Sequence, residues 1–176
     1  MSPILLRDAT PADLPAIQSV YRPHVLQGLA SFETEVPDLA ELGQRMAKVQ
    51  ALGLPYLVAE LDGDLAGYGY ATPYRPRPAY RYTVEDSVYV RDGLEGRGIG
   101  RLLLERLIQR CETGGWRQMI AMVGNSENLA SVGLHERLGF RRVGVLEKVG
   151  FKHGRWLDCV ILQRSLGDGA GSLPGP

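Results

Sequence analysis

Apolar positions recur along this chain at two spacings, one helical and one alternating, and the changes between them mark its elements. Residues 4–6 form a brief apolar run that predicts a first strand. Thr10-Pro11-Ala12-Asp13 then offers an N-cap, a proline at the first helical position and an acid in the first turn. Ile17, Val20 and Tyr21 continue that helix, which Pro23 limits or kinks. A loop over residues 28–36 carries Phe32 and Glu33. Asp38 starts a second helix, with Leu39, Leu42, Met46 and Val49 on its buried stripe. Residues 55–61 and 65–71 flank Asp62-Gly63-Asp64, a hairpin signal, and so predict two antiparallel strands. Alternating prolines stiffen the next loop, which bears Arg75 and Arg77, and strand character resumes over residues 80–90.

A helix from Ile99 to about Glu112 places Ile99, Leu103 and Leu107 on one line, with Leu104, Ile108 and Cys111 beside it. Gly114-Gly115 ends it. Residues 119–123 form an apolar strand, parallel to its predecessor if the helix crosses over. A short helix over residues 125–138 closes at Gly139, and strands near residues 140–150 and 155–164 complete the core. The result is one mixed α/β domain over residues 3–166. The Gly/Pro/Ser-rich stretch 167–176 predicts a disordered tail.

The chemistry gathers between Val88 and Arg101. There a β-branched and aromatic strand, Val88-Tyr89-Val90, gives way to Gly96-Arg97-Gly98-Ile99-Gly100-Arg101 and the start of a helix. Backbone N–H groups at such a turn converge, and the helix dipole adds to them, so the turn suits an anion such as a pyrophosphate. Bare glycines let the anion come close. The spacing is not the Gly-x-Gly-x-x-Gly of a dinucleotide fold, nor does Gly-Lys-Ser/Thr follow as in a P-loop. A glycine-rich helix cap with no ligand is the competing reading.

Composition narrows the field. The 176 residues carry a formal net charge of zero, which points away from nucleic acid and membrane surfaces. Cys111 and Cys159 lie in apolar segments without metal spacing and read as core residues of a reducing, cytoplasmic compartment. No signal pattern opens the chain, and no apolar run approaches the length of a membrane span. No metal is expected.

Residues 95–100 resemble the pyrophosphate loop of the GNAT acetyltransferase superfamily, with Glu95 where a glutamine or arginine is usual. Ala30-Ser31-Phe32-Glu33, the 81–90 segment, Leu134-His135-Glu136 with Leu138-Gly139-Phe140, and Gly150-Phe151-Lys152-His153-Gly154-Arg155-Trp156 resemble the phosphinothricin/methionine sulfoximine N-acetyltransferase branch. The resemblance spans residues 4–166. It implies a GNAT fold, with a mostly antiparallel sheet splayed between its fourth and fifth strands and helices on both faces. It implies acetyl-CoA as cosubstrate, with its pantetheine arm along Val88-Tyr89-Val90 and its pyrophosphate at the glycine turn, where Arg97 and Arg101 offset Glu95. A homodimer is implied as well.

Acetylation of an amine needs a base to free the nitrogen lone pair and gains from an acid at the departing thiolate. Alternation puts Glu85, Ser87 and Tyr89 on one strand face, with Asp86 among Val84, Val88 and Val90 on the other. Glu85 is therefore the expected base and Asp86 its rival; a solvated strand-face glutamate is the plain alternative. Asn128, Ser131 and His135 share a helix face. His135 stands where many relatives carry a proton-donating tyrosine, against the simpler reading of a packing histidine. Asn128 and Ser131 are expected at the cofactor. Arg75 and Arg77 suit a forked grip on a carboxylate or phosphinate, and Phe32, Ser87 and Glu85 join them at the acceptor. The expected function is N-acetylation of the α-amine of a small amino acid or analogue. A protein N-terminal acetyltransferase is the alternative enzyme, and a non-catalytic acyl-CoA sensor the alternative of another kind.

Overall fold

The computed structural model describes residues 3–175. Its elements are β1 (Leu5–Asp8), α1 (Leu14–Leu26), α2 (Leu39–Ala51), β2 (Tyr56–Leu61), β3 (Asp64–Pro73), β4 (Thr83–Val90), α3 (Ile99–Thr113), β5 (Gln118–Gly124), α4 (Leu129–Arg137), β6 (Arg141–Lys152) and β7 (Arg155–Ser165). The expected order of strands and helices is present.

Local chemistry sets several boundaries. The Asp13 carboxylate accepts from the Thr10 N–H at 2.7 Å, but this cap opens a short 3-10 turn, and α1 follows only from Leu14. Pro23 does not stop α1, because the helix has one turn left to run. The Gln27 and Gly28 N–H groups both return to the Pro23 carbonyl, at 2.9 and 3.0 Å. Asp38 caps α2 by accepting from the Glu41 N–H at 2.8 Å.

All seven strands form a single sheet in the order β1-β2-β3-β4-β5-β7-β6. Every pairing is antiparallel except β4 with β5. Helices cover both faces. Gly67 and Gly69 on β3 let α3 lie close, since a Cβ at either would press on Ile99 or Leu107. Tyr68, between those glycines, meets Tyr21 of α1 edge-on at 6.5 Å on the opposite side.

The parallel pair is brief. Thr83, Val84 and Glu85 pair with Gln118, Met119 and Ile120, and there the pairing ends. From Asp86 onward β4 and β5 part, which is the splay expected between the fourth and fifth strands.

Residues 167–175 make hydrogen bonds to two strand-flanking side chains. Arg117 donates to the Ser172 hydroxyl and the Leu173 carbonyl at 3.0 and 3.2 Å, and the Tyr82 hydroxyl donates to the Gly175 carbonyl at 3.1 Å. Among the described residues no helix is long and apolar enough to cross a membrane.

Candidate active site

Two cavities meet where β4 and β5 part. One, of about 740 Å³, runs along the glycine turn, Val88 and Val90 of β4, and the start of α4. The other, of about 680 Å³, lies between β4, β5 and the Ser31–Phe32 loop and contains Glu85. Val88, Asn128, Ser131 and His135 line both. A ligand too long for either cavity alone can therefore pass its reactive end from one to the other across these four residues.

The groove end fits a diphosphate. Gly96 and Gly98 adopt φ of 74° and 84°, which L side chains rarely take, and Gly98 caps the fifteen-residue helix α3. A Cβ built on either glycine meets no atom within 4 Å, so the backbone there faces open space. Ile99 is buried in the core and offers the groove its main chain. The Glu95 carboxylate turns back to accept from the Gly93 N–H at 2.8 Å, which keeps its charge on the loop rather than over the helix start. Arg101 lines the groove and pairs with Glu105 at 2.8 Å, whereas Arg97 is exposed and outside the groove wall. Tyr89 lines the other cavity instead. Its ring packs on Tyr21 and Tyr68 at 4.9 and 5.2 Å.

The second cavity suits an amine acceptor bearing an anionic group. Burial raises the pKa of Glu85, the negative charge of Asp86 raises it further, and Arg75 opposes both. A carboxylate so raised is a better match for taking a proton near neutrality. Arg75 and Ser87 line this cavity; Arg77, exposed on the loop, does not. The expected pair of arginines is thus not assembled. Arg45 of α2 lines the cavity with Arg75, although it is already paired with Glu33 at 2.6 Å and with Glu41. Sequence gave little sign of Arg45, which sits on the polar side of an ordinary amphipathic helix.

Phe32 forms a wall. Its ring occupies the space that a Cβ at Gly124 or Gly150 would need, 2.8 and 2.7 Å away. Lys152 is buried and holds that loop by donating to the Ser31 carbonyl at 2.8 Å, and burial lowers its pKa. Among the described residues no cluster of His, Cys, Asp or Glu is arranged to hold a metal.

At the junction, Asn128 is the N-cap of α4, and its side-chain oxygen accepts from the Ser131 N–H at 3.2 Å. That leaves its amide N–H groups for the groove. His135 is buried and committed at both ring nitrogens, Nδ1 to the Ser131 carbonyl at 2.7 Å and Nε2 to the Asp86 carboxylate at 2.9 Å. Sequence alternation set Asp86 on the right strand face; it did not reveal this partner.

A sheet parted at one strand pair, beside a left-handed glycine turn that opens a helix, defines a class of acetyltransferase. The family described as "Acetyltransferase (GNAT) domain" matches residues 6–161. The chain belongs to that family. Within it, the chain is 59% identical over 162 residues to the phosphinothricin N-acetyltransferase of Alcaligenes faecalis, covering 92% of this chain and 82% of that protein. It is 41% identical over 162 residues to the L-methionine sulfoximine/L-methionine sulfone acetyltransferase of Pseudomonas aeruginosa, covering 92% and 94%. A crystal structure of the phosphinothricin acetyltransferase of Sinorhizobium meliloti in complex with AcCoA superimposes with a TM-score of 0.95 at 44% identity, covering 99% and 94%.

Proposed function

We propose that this chain transfers the acetyl group of acetyl-CoA to the α-amine of a small amino acid or analogue, of the phosphinothricin or methionine sulfoximine type. One observation carries this reading. The groove with the glycine turn and the cavity with Glu85 share a wall at Val88, Asn128, Ser131 and His135. The names of the relatives agree in substrate chemistry.

In this reading Glu85 takes a proton from the acceptor ammonium. The freed nitrogen lone pair forms the new C–N bond at the acetyl carbon, and the nitrogen releases its second proton to water as the neutral amide forms. The C–S bond breaks with its electron pair going to sulfur, and His135 supplies the proton that sulfur takes up, its Nε2 exchanging Asp86 for sulfur in that step. Arg75 and Ser87 hold the acceptor, with Phe32 as its wall. Val88 to Val90 and Gly96 to Gly100 hold the cosubstrate with their main chain, and Asn128 and Ser131 hold it at α4.

The decisive assay measures free thiol released from acetyl-CoA with phosphinothricin, methionine sulfoximine, methionine sulfone, common amino acids and a peptide. Release is expected with the first three and not with the peptide. Glu85→Gln is expected to lower kcat by about 100-fold or more while leaving the KM for acetyl-CoA within about twofold. An equal loss in both parameters would remove Glu85 from the proton transfer.

A homodimer belongs to the same proposal. β6 is an edge strand with exposed Val143, Val145 and Phe151, with Trp156 of β7 beside them, while its exposed Leu146 and Val149 line the acceptor cavity. Phe151 and Trp156 are 60% and 65% exposed, unusual for such large rings outside an interface. A cytoplasmic setting is also part of this reading and is supported by two cysteines that are free and buried.

A further inference from the structure

We propose that Asp86 is the positioning residue of the proton donor. With the Ser131 carbonyl it fixes both ring nitrogens of His135, so that one shared proton is kept, buried, at the junction of the two cavities. This rests on the transferase reading above.

The inference follows from which atoms accept. A backbone carbonyl can only accept, so the 2.7 Å bond to Ser131 requires a hydrogen on Nδ1. Nε2 then lies 2.9 Å from a carboxylate oxygen. Either Nε2 carries a hydrogen too, or the Asp86 carboxyl does. In both cases the pair holds one proton more than a neutral imidazole beside a free carboxylate.

The surroundings favour keeping that proton on the pair. The side chains of His135 and Asp86 are only 5% and 2% exposed. The second carboxylate oxygen, Oδ1, has no hydrogen-bond partner among the described residues, which leaves His135 as the group answering its charge. The other titratable groups nearby do not offset Asp86. Glu85 adjoins it on β4 and is raised by it, and the Cys111 thiol of α3 is pushed up to about 12 by burial and then by Asp86. Cys159 of β7 is raised by burial and then by Glu85, and Arg75 acts on Glu85. The Arg164–Glu112 pair stands at the far end of α4, where Arg164 donates to the Leu138 carbonyl at 2.5 Å. Burial by itself would lower the pKa of His135, but the charge and hydrogen bond of Asp86 outweigh it, and the net direction is upward.

This has a use in the reaction. The acceptor amine becomes nucleophilic as pH rises, while an ordinary imidazole gives up its proton near 6.5. Without Asp86 the donor would be spent where the nucleophile becomes available. With it, both forms coexist over a wider range of pH. To reach sulfur the proton on Nε2 must exchange its bond to Asp86 for one to sulfur, and the lone pair left behind faces the carboxylate again, which favours prompt reprotonation of the ring.

Asp86→Asn preserves the shape and removes the charge. The alkaline limb of kcat is expected to move down by about one pH unit or more, lowering kcat about tenfold on that side. The acid limb, set by Glu85, should also move down because Asp86 no longer raises it, while the KM for acetyl-CoA stays nearly unchanged throughout. The second readout needs no turnover. Ring-nitrogen NMR of the three histidines, with His135 assigned through His135→Gln, should show it titrating above 6.5 in the native protein and lower in Asp86→Asn. An unmoved alkaline limb in a folded variant would overturn the proposal. So would a native His135 titrating at or below 6.5, even if the variant fails to fold. A native enzyme that releases no thiol with any acceptor would instead defeat the transferase reading, with the ring titration still judging the pair.

Discussion

Glu85 and Asp86 are adjacent carboxylates on β4, and the pleat separates their environments. Both touch the acceptor cavity, but Glu85 lies within the influence of Arg75, while Asp86 is buried and bonded to His135 of α4. Alternation in the sequence was enough to divide them. The partner of Asp86 was not legible, because it comes from a helix 49 residues away in sequence and only the fold brings it near. The two loop arginines show the same limit. Arg75 and Arg77 look equivalent between their prolines, yet only Arg75 reaches the cavity. Arg75→Ala is therefore expected to raise the KM for carboxylate- or phosphinate-bearing acceptors by about tenfold or more, the scale of one charge-assisted contact. Arg77→Ala should leave it within about twofold. Steady-state kinetics on both variants with one acceptor series checks the contrast.

Among elements, the strand, turn and helix over β4 and α3 were the most legible part of the chain, because glycine spacing and hydrophobic periodicity change over within a few residues. Less legible was the start of α1, where a sound cap opened a 3-10 turn before the helix proper. The reason for Gly150 could not be seen either, since it lies in the ring of Phe32 from a remote loop. At the turn, Gly98 has φ 84° with open space where a Cβ would stand. Gly98→Ala should thus suffer from backbone strain rather than collision, about 1–2 kcal/mol. The expected result is a melting temperature lower by roughly 2–8 °C and weaker binding of coenzyme A, with the acceptor KM little changed. Calorimetric titration and a thermal melt read the two effects separately.

For the whole molecule, β6 leaves its apolar face without cover in a single chain. Val145→Glu and Phe151→Glu together are expected to turn a dimer into a monomer in sedimentation velocity, while coenzyme A still binds because neither residue lines the groove. A native protein that sediments as a monomer would refute the dimer. Sequence could suggest this face only through family resemblance, as the exposed positions of β6 carry the same residue types as a core strand.

The short ladder between β4 and β5 starts beside Tyr82 and Arg117, whose main chains are themselves bonded at 2.9 Å, and the stretch after β7 reaches both of these side chains. That stretch works as a clasp over the hinge of the cleft. A purification tag or fusion partner grafted directly after residue 166 would remove the clasp and slacken the angle at which the strands diverge, so the opposite terminus is the better place to attach a handle.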